Sequence, residues 1–350
     1  MNPILTQSQS DGVILEAKQV TKQFTIGGLL TRNRRIVHAL SNVSFSIAAG
    51  ETVAIVGESG CGKSTLARCL LHLIEPTSGS VMLDGMDAFY ILSQDPSTFR
   101  RAVQIVFQDP YASLNPRRTI GQSLDDPLRI FGMKDRARRW ARIIELLRLV
   151  GLPGEFAHRY PHELSGGQRQ RVAIARALAP NPRVIVCDEA VSALDVSVQA
   201  QIINLLRDIQ DKINVAYVFI THNLHLVRRI ADRVAIMYLG EIVEMVSRNG
   251  LLKGVAHPYS RALFSSAPVL NRDPHAKRQV PAPALKGEVP SPIDLPSGCR
   301  FHPRCPYRQP LCSTTAPQLQ SIQGRYIRCH FAVQMLESGV SLPKPKEYTS

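Results

Sequence analysis

Cysteine is scarce in this sequence, and long hydrophobic runs are missing. Seven cysteines occur in 350 residues, and three of them, Cys61, Cys69 and Cys187, are scattered through the first two hundred positions. No stretch approaches the roughly 18 apolar residues of a membrane helix; the densest patch, LARCLLHLI, carries Arg68 and His72. The start, MNPILTQSQSDG, lacks the charged region and apolar core of a secretory leader, so cytosolic residence is expected. There, thiols stay reduced unless they hold a metal. Acidic residues are also few, 28 against 42 Lys and Arg, for a net charge of +14. Such an excess suits nucleic acid, anionic headgroups or nucleotide phosphates. The basic residues are dispersed, however, with short blocks only at 32–35 (RNRR) and 136–139 (RARR). A solvated basic surface competes with any binding role, and charge alone decides nothing. Hydrophobic content of 44% and charged content of 20% are ordinary for a soluble globular protein. The length allows one large domain with an appendage, or two domains.

What is present begins at 52–65. TVAIV is a short apolar run rich in β-branched residues and reads as a buried strand; GESGCGKST follows, then a helical LARCLLHLI. Gly57, Gly62, Lys63 and Ser64 match the G-x-x-x-x-G-K-[ST] phosphate loop, here Gly57-Glu58-Ser59-Gly60-Cys61-Gly62-Lys63-Ser64-Thr65. Glycines let the loop bend so that successive N–H groups face phosphate oxygens, and the helix presents its positive end to the same anion. Lys63 can reach the terminal phosphates and Ser64 can offer its hydroxyl to Mg²⁺. A nucleoside triphosphate site is expected. Cys61 occupies a free position of the loop, beside a lysine and a helix N-terminus, both of which lower a thiol pKa. It is either a small neutral filler or a thiol whose alkylation blocks nucleotide binding.

RVIVCDEA at 183–190 is a second buried-strand run, ending in two carboxylates. Asp188 at the strand end can support Mg²⁺ beside the phosphate loop, and Glu189 is placed to orient or deprotonate the attacking water. Adjacent acids often form only a solvated turn, but coupled to the phosphate loop they point to hydrolysis as well as binding.

HELSGGQRQRVAIARAL at 162–178 narrows the class. Ser165 can simply cap a helix. Yet Leu164-Ser165-Gly166-Gly167-Gln168, just ahead of DEAVSALD, resembles the signature of ABC-family ATPases. The resemblance implies a P-loop α/β fold: a RecA-like core, an antiparallel β subdomain and a helical signature subdomain at about 109–180. It implies that the signature closes on ATP held by a second subunit. Gln108 resembles the Q-loop glutamine, a further Mg²⁺ contact with Ser64 and Asp188. Asp195 resembles the D-loop aspartate, His222 the switch histidine, and Phe24 the aromatic that stacks on adenine. Ala190 stands where the family usually has proline, and Asn223 where aspartate commonly follows the histidine; neither removes a catalytic group.

Between Gln108 and the signature, Trp140, Ile143, Ile144 and Leu147 recur at helical spacing and are expected in the core. In the family, this segment and the Q-loop receive a coupling helix from a membrane subunit. DPYASLNPRRTIGQSL at 109–124 resembles the Q-loop continuation of peptide importers.

Past residue 250, Pro258, Pro268, Pro274, Pro281, Pro283, Pro290, Pro292 and Pro296 break any long helix. The expected organisation is a flexible start at 1–12, an ATPase domain at 13–250, and a proline-rich surface linker at 251–297. A four-cysteine appendage at 298–332 and a flexible tail at 333–350 complete it. Cys299, Cys305, Cys312 and Cys329 are spaced C-x5-C-x6-C-x16-C. Disulfides, four-thiolate zinc, an iron–sulfur cluster and free thiols all compete. Zinc favours shorter hooks, and a larger cluster tolerates wider spacing. HPYSRALFSSAP at 257–268 and GEVPSP at 287–292 resemble the C-terminal extension of dipeptide/oligopeptide importer ATPases, which implies a [4Fe–4S] cluster, with Zn²⁺ the alternative. A metal centre would hold an appendage too small to bury a core. Loosening it is expected to leave the phosphate loop intact.

The resemblance implies an ATP-hydrolysing subunit at the cytoplasmic face of the inner membrane, powering import of di- or oligopeptides. Its partners would be a second ATPase subunit (a paralogue rather than an identical copy), two permease subunits and, indirectly, an extracytoplasmic binding protein. Nickel or another small solute is an alternative cargo. A soluble ABC ATPase acting on nucleic acid is the rival the charge favours, though no nucleic-acid partner is expected: one signature and no long heptad run are present. A P-loop kinase is disfavoured by LSGGQ and His222.

Overall fold

TVAIV forms β3 (Thr52–Val56), and all five residues are buried. Both faces of the strand are covered, as a continuous apolar run predicts. β3 lies between β8 (Ala216–Ile220) and β9 (Arg233–Tyr238), parallel to both. β7 (Val184–Asp188) and β6 (Val103–Val106) continue the parallel set beyond β8. The chain segments leaving β3, β6, β7 and β8 therefore emerge along one edge of the sheet, where α/β folds place ligands. This computed structural model describes residues 12–27, 34–266 and 287–337. The start before residue 12, the first two residues of RNRR, Pro268, Pro274, Pro281, Pro283 and the end after residue 337 lie outside the described residues.

A second, antiparallel sheet has the order β2-β1-β4-β5, from β1 (Val13–Ile26), β2 (Arg35–Ala48), β4 (Ser78–Leu83) and β5 (Met86–Asp87). Leu15, Val20, Leu40, Phe45 and Ile47 of this sheet share one core with Val53, Ile55, Leu66 and Leu70. A helical layer makes the other large core. Leu124 and Leu128 of the helix Ile120–Ile130 meet Leu146 and Leu147 of Arg136–Leu149, and Val172 and Leu178 of Gly166–Leu178. Each helix starts on a side-chain cap: Thr119 with Gln122 in a capping box, Asp135, and Ser165 with Gln168.

Trp140 departs from the expected core stripe. Ile143 and Leu147 are buried and Ile144 packs on the same cluster, but Trp140 is 42% exposed. Its ring stands 5.3 Å from that of His158, in a groove of about 720 Å³ lined also by Thr119, Gln122, Asp125 and Arg139. Gly121 opens this groove: a Cβ there would meet Ala157 O at 2.9 Å and the Trp140 ring at 3.3 Å.

The C-terminal region departs further from expectation. In the segment read as a linker, the helix Pro258–Ser265 is anchored by buried Tyr259 and Phe264. Beyond it, β12 (Arg325–Ile327) pairs antiparallel with β10 (Glu241–Ser247), and β11 (Gln320–Ile322) pairs with β12. The main sheet thus runs β11-β12-β10-β9-β3-β8-β7-β6. Phe301 is buried with Tyr238 and Tyr259. The four-cysteine region is built onto the ATPase sheet and core instead of hanging from a surface linker, because its strands and aromatic residue extend existing ones.

Candidate functional site

Ser64, Asp188, Glu189 and His222, all marked by the sequence, meet at the edge where the parallel strands end. The loop Gly57–Gly62 follows β3 and opens the helix Lys63–Leu70. Gly62 has φ +105°, and a Cβ there would strike Ala39 O at 2.4 Å, so only glycine fits. Lys63 is buried, and its Nζ donates to the carbonyls of Gly57 at 2.9 Å and Glu58 at 2.8 Å. Ser64 Oγ donates to Asp188 Oδ1 at 3.4 Å, joining the helix start to the end of β7. Burial raises the Asp188 pKa, opposed by the Ser64 hydrogen bond.

Glu189, one residue beyond β7, has φ +49°. Its N–H donates to Ile220 O at 3.0 Å, and its carbonyl accepts from Ser192 N at 3.0 Å and Ser192 Oγ at 2.9 Å. Three bonds thus hold an unfavourable left-handed backbone. They aim the carboxylate at His222, whose Nδ1 lies 3.3 Å from Glu189 Oε1. Asn223, where aspartate was the expected residue, caps the next helix by accepting from His225 N. Gln108 is exposed two residues past β6, next to β7 in the sheet. Phe24 lies on β1, 39% exposed, with Lys22 Nζ 5.2 Å from its ring centroid.

LSGGQ stands apart. Leu164 is buried, whereas Ser165 and Gly166 are exposed at the start of their helix. Gly167 lies against the following D-loop segment: a Cβ there would meet Val198 Cγ1 at 2.7 Å. Asp195 caps no backbone N–H with its side chain, and Val196 beside it is 77% exposed. Among the described residues, no hydrogen bond or ion pair joins LSGGQ to the phosphate loop.

Of the two readings of Cys61, the geometry favours the small filler. Burial raises the pKa of its thiol and outweighs Lys63, which lowers it. With Sγ 2.7 Å from where a Gly57 Cβ would stand, it fills the loop's interior. Iodoacetamide at neutral pH should therefore modify Cys61 at least about tenfold more slowly than a free exposed thiol. Rapid stoichiometric modification, read by peptide mass, would contradict this.

None of the seven cysteines is in a disulfide. Among the described residues, no group of three or more His, Cys, Asp or Glu is set to hold a metal ion, which gives neither the iron–sulfur cluster nor the zinc alternative support. Cys299, Cys305, Cys312 and Cys329 nevertheless line a single pocket, together with His257 and Phe301. Burial first, with neighbouring cysteines adding to it, pushes the thiols of Cys305 and Cys329 up to about 12.

Two residues that the motifs did not mark touch the phosphate loop. Tyr259 Oη accepts from Glu58 N–H at 2.9 Å, and Arg304 forms a two-pronged ion pair with the Glu58 carboxylate. Tyr259 lay within a quoted stretch, HPYSRALFSSAP, but no sequence signal linked Arg304 to residue 58.

Residues 40–192 match the family described as ABC transporter, and residues 243–312 match the oligopeptide/dipeptide transporter C-terminal region. The "Probable peptide ABC transporter ATP-binding protein y4tS" of Sinorhizobium fredii is 50% identical over 320 residues, covering 91% of this chain and 89% of that protein. The di/tripeptide transport ATP-binding protein DppF of Pseudomonas aeruginosa is 46% identical over 92% of this chain and 99% of its own. Among solved structures, the ATP-binding cassette MJ0796, dimeric with ADP and Pi, superposes with a TM-score of 0.59 at 33% identity, covering 67% of this chain and 99% of that one. The chain belongs to the ABC transporter ATP-binding proteins, in the branch that carries the oligopeptide/dipeptide C-terminal region.

Proposed function

We propose that this chain is the ATP-hydrolysing subunit of an importer for di- or oligopeptides, bound at the cytoplasmic face of the membrane to two permease subunits. The observation that carries the reading is the separation of two anion-binding elements. The phosphate loop lies at the sheet edge with Asp188, Glu189 and His222, while Ser165 and Gly166 of LSGGQ are exposed on another layer, with no bond to the loop among the described residues. Two chains facing each other would supply both elements to each ATP, and closure on ATP would drive the permease pair. A paralogous second ATPase is the proposed companion.

In this reading Phe24 stacks on the base, and loop N–H groups from 57–65 cradle the phosphates. Lys63 leaves the Gly57 and Glu58 carbonyls for the terminal phosphates. Ser64, Asp188 and Gln108 would hold Mg²⁺; the facing Ser64 and Asp188 oxygens fit a hard cation, which supplies charge neutralisation at the phosphates. Glu189 takes the proton of the water that bonds to the γ-phosphorus, as the bond to the ADP oxygen breaks. His222 holds that arrangement, and the partner's Ser165 and glycines grip the γ-phosphate.

The Trp140 groove, with Thr119 and Gln122 from the Q-loop continuation, supports docking of a permease helix. No helix among the described residues is long and apolar enough to cross a membrane. The C-terminal match and the peptide-transport names of the relatives support peptide cargo over nickel. Affinity purification from detergent-solubilised membranes, with partners identified by mass spectrometry, tests the proposal. Recovery of two permeases and a second ATPase is expected. Recovery of nucleic acid or ribosomal proteins in their place would sink it.

We further propose that Cys299, Cys305, Cys312 and Cys329 hold a [4Fe–4S] cluster. The support is that all four thiols line one pocket, in the region whose motifs resemble the peptide-importer extension. Its contribution would be to bind the turns around Phe301 and β12 together.

A further inference from the structure

Glu58, the second residue of the phosphate loop, is held through three different groups. Its carbonyl accepts from Lys63 Nζ at 2.8 Å. Its N–H donates to Tyr259 Oη at 2.9 Å. Its carboxylate takes both arms of the Arg304 guanidinium, at 2.7 and 3.1 Å. Fork-on-carboxylate pairs are among the strongest ion-pair geometries, and this one is sheltered, with the Arg304 side chain only 8% exposed. Tyr259 and Arg304 come from 201 and 246 residues further along the chain.

Both supports are themselves braced. The rings of Tyr238, Tyr259 and Phe301 pack with centroids 4.8 to 5.5 Å apart, and the Arg304 guanidinium lies 5.8 Å from the Tyr238 centroid. The fully buried Glu244 carboxylate accepts from Ala256 N–H at 2.8 Å and His257 N–H at 2.9 Å, and His257 Nδ1 accepts from Tyr259 N–H at 3.1 Å. The start of the helix bearing Tyr259 is thereby fixed to β10.

From this geometry we infer that Tyr259 and Arg304 are positioning residues for the phosphate loop, and that through them the C-terminal region sets ATP affinity. They fix Glu58, and the Glu58 carbonyl fixes the resting place of Lys63. The inference rests on the reading of residues 57–65 as the triphosphate site. Arg304 is the immediate neighbour of Cys305, and Phe301 lines the cysteine pocket, so whatever orders that pocket also orders the clamp.

An ion pair that only braced the fold would lower the melting temperature and leave ATP binding alone. The clamp predicts a split between KM and kcat. With the full chain, Kd is read from a fluorescent ATP analogue and KM from phosphate release. Arg304→Met should raise both about tenfold, and Tyr259→Phe about threefold, with kcat at saturating ATP within about twofold of native. Arg304→Lys keeps the charge without the fork and should recover only part of the loss. Glu58→Met combined with Arg304→Met should lose no more than either alone, because the pair acts as a unit. Should Arg304→Met fail to fold, Tyr259→Phe, which removes one oxygen, gives the same readout. Unchanged Kd and KM in Tyr259→Phe, or additive losses in the double variant, overturn the inference. Lys63→Ala separates the two levels. Native ATP binding in it refutes the phosphate site itself; lost binding in it, alongside native affinity in the clamp variants, refutes the clamp alone.

Discussion

Glu189→Gln is expected to bind ATP normally and to hydrolyse it at least about a hundredfold more slowly, with closed dimers accumulating in ATP. The backbone that presents residue 189 is set by the Ile220 carbonyl and by Ser192, not by the carboxylate, so it survives the substitution. That backbone is left-handed at φ +49°, a conformation costing roughly 1–2 kcal/mol for a residue other than glycine. Such strain at the end of β7 is tolerated because it aims the side chain at His222. Glutamine has the same length and can keep a hydrogen bond to the imidazole, but it cannot accept a proton. Binding should also be spared electrostatically. The Asp188 carboxyl is held up first by burial and further by the Glu189 charge, so the neutral amide lets Asp188 ionise more readily. Phosphate release at saturating ATP and size-exclusion chromatography with and without ATP measure the two effects. Turnover within a fewfold of native would remove Glu189 from the role of base.

On the cluster proposal, protein purified without oxygen is expected to be brown and to carry iron and acid-labile sulfide, and Cys305→Ser to lose all three. The sequence suggests that such a lesion stays in the tail. The clamp inference leads to a different result, because Arg304 is the next residue and grips Glu58 of the phosphate loop. Cys305→Ser should therefore also weaken ATP binding about tenfold, as Arg304→Met does. Iron and sulfide analysis alongside ATP titration of the same sample tests both parts. A native protein that is colourless and iron-free when prepared anaerobically would end the cluster reading. A colourless variant with native ATP affinity would uncouple the pocket from the loop.

The nucleotide edge was legible in the sequence because each part is local. TVAIV-GESGCGKST is strand, loop and helix in 14 consecutive residues, and VIVCDE places its acids at a strand end by the same rule. Trp140 misled because helical periodicity gives a face and not its partner. Ile143 and Leu147 found a neighbouring helix, while Trp140 reached past Gly121 into an open groove. Cys61 was left between two readings for a related reason. Its neighbours in sequence lower a thiol pKa, but its burial beside Gly57 was a property of the folded loop. The C-terminal region was least legible. β11 and β12 are three residues each, QSI and RYI, too short for any alternation to register, and β10, which pairs with β12, lies some eighty residues earlier.

The distance along the chain between Glu58 and Arg304, 246 residues, has a consequence for biogenesis. A ribosome completes the phosphate loop long before it reaches the segment that steadies it, and domains fold as they emerge. The nascent ATPase therefore passes through a stage in which Lys63 and its loop are present but unclamped, and on the clamp inference full nucleotide affinity waits for Arg304. Prematurely terminated chains would carry every ATPase motif and still lack the support for their first one.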